Sequence, residues 1–262
     1  MTTTIADYED QRRAFAALTR PDCDHRILLL HGESGSGKTT LLTHCQSGIP
    51  ATARHVSIQL RGSTVDMAEI FYRAGRALSW AQLQQFTGQV AQLQRAASVK
   101  IDRNWLLGIN NHISVALQAD SPQDRGHRRA ALTEAWFEDV QALREPFLVV
   151  FDTYEQANAD IQEWLSGPFL ARAATAGPLR VVIAGQCVPD KHNIEWGHCC
   201  HEHRLYGVPE AKHWLPVIEA SGRYIPNESP LNWLAGVCHA LGGRPAAIVQ
   251  VIAGLPQRKD LP

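Results

Sequence analysis

Eight consecutive residues near the start of the chain have the types and the spacing that bind a polyphosphate. They fit the pattern G-x-x-x-x-G-K-[ST] and read Gly32-Glu33-Ser34-Gly35-Ser36-Gly37-Lys38-Thr39. Glycines let backbone N–H groups point inward around phosphate oxygens, and a helix N-terminus adds partial positive charge there. In such a loop the lysine neutralises the β- and γ-phosphates, and the threonine hydroxyl coordinates Mg²⁺. The pattern therefore predicts a site for a nucleoside triphosphate with Mg²⁺.

The segments on either side of this loop agree with that interpretation. The apolar run Ile27-Leu28-Leu29-Leu30 predicts a buried strand, and Thr40-Leu41-Leu42-Thr43 predicts the first turn of a helix. A strand, a glycine-rich loop and a helix in this order form the P-loop unit. We therefore expect the nucleotide-binding segment to run from Gly32 to Thr40.

A second acidic site follows a later apolar run. Phe147-Leu148-Val149-Val150-Phe151 has the continuous apolar character of a parallel strand that is buried on both faces, and Asp152 follows it directly. Ligands of open α/β sheets bind at the C-terminal ends of the strands. Asp152 is therefore predicted to hold Mg²⁺ through water, opposite Thr39. The alternative is an ordinary aspartate at a strand end.

Two more polar residues are candidates for catalytic roles. Glu155 is predicted to orient or deprotonate the attacking water, although a glutamate at position 153, where Thr153 stands, would be a stronger candidate. A solvated carboxylate at a helix start is the alternative for Glu155. Gln186 follows a second apolar run, at 179–184, from where its side chain can reach a γ-phosphate. A solvated loop residue is the alternative there.

The elements that must position these residues alternate between strands and helices. Predicted strands lie at about 26–31, 54–60, 147–151, 179–184 and, at an edge, 203–207. Predicted helices lie at about 8–18, 38–46, 66–78, 80–93, 121–143 and 157–174, with Asp66 and Ser79 as N-caps of the third and fourth. The region 99–119 shows only a weak pattern and is predicted to be a long connection with some packing.

Beyond Pro209 the pattern contains only helices, at about 209–221, 230–241 and 245–252. The predicted fold class is therefore α/β: a doubly wound, mostly parallel five-stranded P-loop sheet with helices on both faces, followed by a small all-helical lobe. We expect a P-loop nucleotide-binding domain at residues 1–207 and the helical lobe at 208–262.

The predicted lobe contains the second informative motif, Gly243-Arg244-Pro245. The glycines end one helix and the proline begins the next. Pro245 offers a flat apolar ring on which adenine could pack, and Arg244 could reach phosphate across the cleft. A plain helix–helix turn is the alternative.

The order of these motifs resembles the STAND branch of the AAA+-related P-loop ATPases, which includes the NB-ARC and NACHT signalling ATPases. The resemblance covers about residues 8–252 and rests on the P-loop, on Asp152-Thr153-Tyr154-Glu155 and on Gly243-Arg244-Pro245. It implies that Pro245 contacts the adenine side of bound ADP or ATP. The chain departs from the pattern at one strand end, where Gln186 stands in place of a common arginine. In that family a winged-helix domain and sensor repeats usually follow the Gly-x-Pro lobe, often with an attached effector domain, and we expect this module to lack them.

Composition narrows the classes of partner. Lys and Arg total 25 and Asp and Glu total 26, so the net charge is close to zero. This balance disfavours a protein that mainly coats nucleic acid or an anionic membrane, although it leaves room for a local basic patch. No apolar run approaches the ~20 residues of a membrane span, and no secretory signal is present. We therefore expect a cytoplasmic protein with no membrane partner and with its cysteines reduced.

These features together predict an ATP-binding regulatory or signalling ATPase that needs Mg²⁺, hydrolyses slowly and closes its helical lobe according to the nucleotide. We expect it to act on a protein partner or through self-association. A nucleotide-dependent scaffold that does not hydrolyse is the main competing interpretation. The basic cluster Arg125-Gly126-His127-Arg128-Arg129 leaves a small-molecule kinase and a DNA-loading ATPase open as well. The Cys- and His-rich segment 187–203 is predicted to be a solvated loop, with a zinc site as the alternative.

Overall fold

The computed structural model describes residues 4–20, 22–50, 53–62, 65–96 and 108–258. Within these residues, five strands pair in parallel to form one sheet in the order β2-β3-β4-β1-β5. The strands are β1 (Ile27–His31), β2 (Arg54–Gln59), β3 (Phe147–Asp152), β4 (Leu179–Gly185) and β5 (Cys200–Arg204). Every residue of β3 and β4 is buried, as expected for the apolar runs at the centre of a parallel sheet.

Helices cover both faces of the sheet, which confirms the predicted fold class. The described helices are α1 (Glu9–Leu18), α2 (Lys38–Ser47), α3 (Met67–Leu78), α4 (Gln84–Ala96), α5 (Ile109–Leu117), α6 (Pro122–Gln141), α7 (Ala159–Trp164), α8 (Leu170–Thr175), α9 (Leu215–Ala220), α10 (Pro230–Ala240) and α11 (Pro245–Ala253). In the part of the chain that the structure describes, none of them has both the length and the apolar character that crossing a bilayer requires.

Two hydrophobic cores lie on opposite faces of the sheet because side chains alternate along each strand. Leu29, Val149 and Val181 belong to the core formed with α3 to α8. Leu28 and Val150 belong to the other core, which contains residues of α1, α2 and the three C-terminal helices. The C-terminal helices therefore pack directly on the sheet. The predicted boundary between a nucleotide-binding domain (residues 1–207) and a helical lobe (residues 208–262) stays a prediction.

Two predictions about single elements are wrong, and a third predicted helix is present but not regular. The region 99–119 is not only a connection, because α5 lies in it and buries Ile109 and Ile113; its first part, residues 99–107, lies outside the described residues. The fifth strand occupies 200–204 rather than 203–207, so part of the Cys- and His-rich segment is an edge strand and not a solvated loop. The predicted helix at 157–174 is interrupted by a π-helical turn at Leu165–Phe169, which accommodates Pro168.

The two predicted helix caps had different outcomes. Asp66 is confirmed, since its carboxylate accepts a hydrogen bond from the N–H of Glu69 at 2.9 Å. Ser79 is not an N-cap: its φ is +76°, it forms no capping hydrogen bond, and a 3₁₀ turn at Trp80–Gln82 separates it from α4. The buried Asp139 of α6 caps α4 instead, through its two carboxylate oxygens.

Candidate nucleotide-binding site

The loop between β1 and α2 has a backbone that requires glycine. Gly35 and Gly37 have φ of +81° and +88°, in the left-handed region that glycine adopts without steric cost. A Cβ atom on Gly32 would lie 2.7 Å from the carbonyl oxygen of Leu205, so that position admits no side chain. Because Gly37 is the N-cap of α2, the loop leads directly into a helix N-terminus, which favours anions.

Lys38 folds back over its own loop. Its Nζ donates hydrogen bonds to the carbonyl oxygens of Gly32 at 2.6 Å and Glu33 at 2.9 Å. Burial lowers the pKa of this ammonium group, and the nearby Glu155 and Asp152 carboxylates oppose that shift. The ammonium group is thus held at the phosphate loop, next to the two predicted acidic residues.

The hydroxyl of Ser36 is buried without a hydrogen-bond partner among the described residues. A buried polar atom of this kind needs a partner that the folded chain does not supply. A phosphate oxygen would accept its hydrogen bond. This unpartnered hydroxyl, which lies between Gly35 and Gly37, agrees with a polyphosphate-binding loop, although Ser36 itself does not line the cavity described below.

The two predicted metal residues lie together. Thr39 Oγ1 donates a hydrogen bond to Asp152 Oδ2 at 2.8 Å, and Asp152 is only 3% exposed. The second carboxylate oxygen, Oδ1, accepts the N–H of Thr153 at 2.8 Å. A hydroxyl and a carboxylate are the hard oxygen ligands that Mg²⁺ prefers, so this pair fits the ion.

A strained residue carries the chain from Asp152 towards Glu155. Thr153 has φ of +64° and ψ of +44°, a left-handed conformation that costs a β-branched residue free energy. Beyond this bend the Glu155 carboxylate reaches the end of β4, where Oε2 accepts the N–H of Gln186 at 2.8 Å. Glu155 Oε1 accepts the side-chain amide of Gln186 at 3.2 Å. The two predicted catalytic residues are thus bonded to each other.

The helical lobe contacts the phosphate loop through the turn before α11. The N–H of Ala246 donates to the carbonyl oxygen of Gly35 at 3.1 Å, and Pro245 lies beside Gly37. Arg244 lies at the rim, where its guanidinium is 3.7 Å from the Glu33 carboxylate and both side chains are largely exposed. Such an exposed pair contributes little to stability.

A cavity of about 400 Å³ lies between the sheet and the lobe. Most of the predicted site residues line it: Ser34, Gly35, Gly37, Lys38, Thr39, Thr40, Asp152, Glu155, Gln186 and Pro245. Gly32, Glu33, Ser36 and Arg244 are not among its described lining residues. Its size is typical of small-ligand sites.

A family profile with the description AAA ATPase domain matches residues 9–183. The chain belongs to the AAA ATPase domain family. Members of this family use a nucleotide and usually Mg²⁺. The matched part includes the phosphate loop, Asp152 and Glu155, whereas Gln186 and the lobe turn lie beyond it.

Solved structures with a similar fold include the Walker-type ATPase PABY2304 of Pyrococcus abyssi. The similarity covers 96% of this chain and 69% of that chain, with a TM-score of 0.51 and 15% identity. Cdc6p from Pyrobaculum aerophilum has a TM-score of 0.48 and 16% identity, with 96% and 61% of the two chains covered. The Aeropyrum pernix Orc1 protein, solved in complex with DNA, has a TM-score of 0.47 and 13% identity, with 96% and 60% covered. No curated protein sequence matches.

This chain thus spans about 60% of the length of those Cdc6p and Orc1 chains. The likeness to the Pyrococcus abyssi protein agrees with the five-stranded parallel sheet described above. At such low identity it concerns the fold alone.

The segment before α1 contributes to the site, which no sequence pattern indicated. Ile5, Ala6 and Tyr8 line the cavity, together with Trp214 and Val217 from the lobe. These apolar side chains form a wall suited to a flat, weakly polar group. None of them belongs to a recognisable motif, since they meet only in the folded chain.

Tyr8 also connects the segment to two other parts of the chain. Its hydroxyl lies 2.6 Å from the carbonyl oxygen of Ser36 and 2.7 Å from that of Tyr206, so its single proton is shared between them. Burial, and secondarily Asp7, raises the pKa of the phenol, which keeps it a hydrogen-bond donor at neutral pH. Asp7 and Tyr8 both have positive φ, of +64° and +63°.

Proposed function

We propose that this chain is a regulatory ATPase module that binds ATP or ADP with Mg²⁺ in the cavity between the sheet and the lobe. The observation that carries the proposal is the pairing of the Thr39 hydroxyl with the buried Asp152 carboxylate at 2.8 Å, on the same cavity wall as Lys38. A hydroxyl, a carboxylate and an ammonium group in this arrangement can bind a metal ion and phosphate oxygens together.

The phosphate loop supplies the first part of the binding site. Its backbone N–H groups, the Ser36 hydroxyl and the N-terminus of α2 offer donors to phosphate oxygens. Lys38 would exchange the carbonyl oxygens of Gly32 and Glu33 for the β- and γ-phosphates. Bound Mg²⁺ neutralises charge that develops on the phosphates, and Thr39 with Asp152 would hold it.

Slow hydrolysis follows from the position of Glu155. We assign it the role of orienting or deprotonating the attacking water, but its carboxylate accepts two hydrogen bonds from Gln186. These hydrogen bonds occupy both carboxylate oxygens, which would otherwise be free to bind the attacking water. Turnover would then require Gln186 to release Glu155, and Gln186 would bind the γ-phosphate instead.

The nucleotide would control the angle between the sheet and the lobe. One contact across the cavity, from the N–H of Ala246 to the carbonyl oxygen of Gly35, lies directly on the phosphate loop. Pro245, with Trp214 and the segment before α1, would pack against adenine, and Arg244 would approach phosphate from the rim. Domains at 1–207 and 208–262 that move in this way fit a STAND-type signalling module acting on a protein partner or on further copies of itself.

A nucleotide-dependent scaffold that does not hydrolyse is the second candidate, because the Glu155–Gln186 pair favours it. A small-molecule kinase and a DNA-loading ATPase lack such support. Arg129 forms an ion pair with Asp160 at 2.6 Å, and Arg128 donates to the carbonyl oxygen of Ala116 at 3.2 Å. Two arginines of the basic cluster thus bind the protein itself, which favours neither a lid over phosphates nor a DNA-binding surface.

Calorimetric titration of the purified chain with Mg·ATP tests the proposal. The unmodified chain should bind, and Lys38→Ala should weaken binding by at least about tenfold, because a charge-assisted phosphate contact is worth about 1.5–3 kcal/mol. Lys212→Ala is the control, since Lys212 is exposed and pairs with Glu210 away from the cavity. Equal affinity of Lys38→Ala and the unmodified chain would overturn the proposal.

A further inference from the structure

We propose that Arg61 supplies the second positive charge of the site, in contact with the γ-phosphate, and thereby distinguishes ATP from ADP. The inference rests on the proposed function and assigns a role to a residue that no motif includes. Arg61 follows β2, whose C-terminal end lies beside that of β3.

The strand register places Arg61 on the face of the sheet that carries Asp152. Gln59 pairs with Asp152, and the N–H of Leu60 continues the ladder by donating to the carbonyl oxygen of Asp152 at 2.8 Å. Ile58 and Leu60 are buried in the core on the opposite face. Because side chains alternate, Arg61 projects on the same side as Gln59 and Asp152.

The guanidinium is available to a ligand. Arg61 is exposed, lines the cavity with Lys38 and Asp152, and forms no hydrogen bond or ion pair with any residue that the structure describes. Arg244, by comparison, lies at the rim near Glu33. Lys38 and Arg61 are thus the two cations among the described residues of the cavity wall, which also includes Asp152 and Glu155.

The chemistry of phosphoryl transfer gives this cation a role. Negative charge on the terminal phosphate must be stabilised, and Gln186, at the end of β4, is neutral. Lys38 is held by its own loop, close to where the β-phosphate would bind. An arginine can donate two parallel hydrogen bonds to phosphate oxygens, so Arg61 fits the terminal group on the β3 side of the cavity.

The test compares Mg·ATP and Mg·ADP on the unmodified chain and on Arg61→Ala. We expect Arg61→Ala to weaken ATP binding about tenfold or more, to leave ADP binding within about twofold, and to slow single-turnover hydrolysis about 100-fold or more. Arg61→Lys should recover part of the ATP affinity. Arg20→Ala is the matched control, because Arg20 is exposed and pairs with Asp22.

The outcomes separate this inference from the proposed function. Failure of the unmodified chain to bind either nucleotide would overturn both. If the unmodified chain binds ATP but Arg61→Ala loses neither nucleotide, or loses both equally, the Arg61 role is wrong and the proposed function stands. The unmodified chain and Arg61→Ala should have the same melting temperature without nucleotide, because Arg61 is exposed. If Arg61→Ala melts earlier, the ratio of ATP affinity to ADP affinity is measured on Arg61→Lys instead. A ratio below that of the unmodified chain supports the Arg61 role, and an unchanged ratio overturns it.

Discussion

Glu155 and Gln186 are joined by two hydrogen bonds, one from the backbone N–H at 2.8 Å and one from the side-chain amide at 3.2 Å. The pair links the segment after β3 to the end of β4. Gly185 makes this approach possible, since a Cβ atom there would lie 2.7 Å from Glu155 Oε2. The pair restrains the candidate base, and any ligand that binds the Gln186 side chain would change this restraint.

The first prediction concerns Glu155 as the base. Glu155→Gln should leave the affinity for Mg·ATP within about threefold and should slow hydrolysis by about 100-fold or more, because an amide cannot accept the proton of water. Single-turnover assays with calorimetry on the same samples measure both effects. Glu163→Gln, on α7, is a control that should change neither. Unchanged hydrolysis in Glu155→Gln would remove Glu155 from the mechanism, and absence of hydrolysis in the unmodified chain would favour the scaffold.

The second prediction concerns the protonation of Lys38. Burial lowers the pKa of its ammonium group, so the free protein loses this proton at a lower pH than an ordinary lysine, whose pKa is about 10.4. A bound phosphate favours the charged form and raises the pKa again. Nucleotide binding should therefore take up protons at alkaline pH, where the Lys38 ammonium group of the free protein has begun to lose its proton, and this uptake should shrink as the pH falls towards neutrality.

Calorimetry in buffers of different ionisation enthalpy measures this uptake. At the alkaline pH the observed heat should depend on the buffer, and Lys38→Arg should remove that dependence because arginine stays charged. The same heat in every buffer for the unmodified chain would contradict the pKa shift. ATP should also bind more weakly at alkaline pH, because Lys38 must then take up a proton on binding and this protonation costs free energy.

The third prediction concerns the hydroxyl of Tyr8. Tyr8→Phe removes the donor shared by the carbonyl oxygens of Ser36 and Tyr206, and we expect a loss of about 1–2 kcal/mol in the free energy of unfolding. Urea denaturation without nucleotide measures it. Tyr224→Phe is the matched control, because its hydroxyl bonds to no described residue, and it should lose less than about 0.5 kcal/mol. Equal stability of the two variants would show that the Tyr8 bridge contributes nothing.

The parts of the site that could be predicted are those whose structure is determined by residues close together in the sequence. The phosphate loop needs glycine at Gly35 and Gly37 because the backbone there has positive φ, and the apolar run ending at Asp152 is a buried central strand. Both features depend on consecutive residues. Fold class followed from the same runs, since a strand buried on both faces requires helices on both sides.

The parts that were missed depend on contacts between distant segments. Tyr8 contacts Ser36 and Tyr206, which lie 28 and 198 positions further along the chain. Arg61 reaches the cavity only because β2 pairs with β3. The bounds of β5 were missed because this edge strand is polar and has no apolar run. The register of strands and the neighbours of an edge are set by tertiary packing, which no short pattern contains.

The last prediction concerns the cap of α4, another contact of this kind. Asp139, buried on α6, accepts the N–H of Gln85 at 3.1 Å and that of Phe86 at 2.8 Å. Asp139→Ala would leave two N–H groups at the start of α4 unpaired, so we expect a loss of about 2 kcal/mol or more in the free energy of unfolding. Glu138→Ala, one residue earlier and exposed, should change it by less than about 0.5 kcal/mol. Urea denaturation compares the two, and similar losses would show that α4 does not depend on this cap.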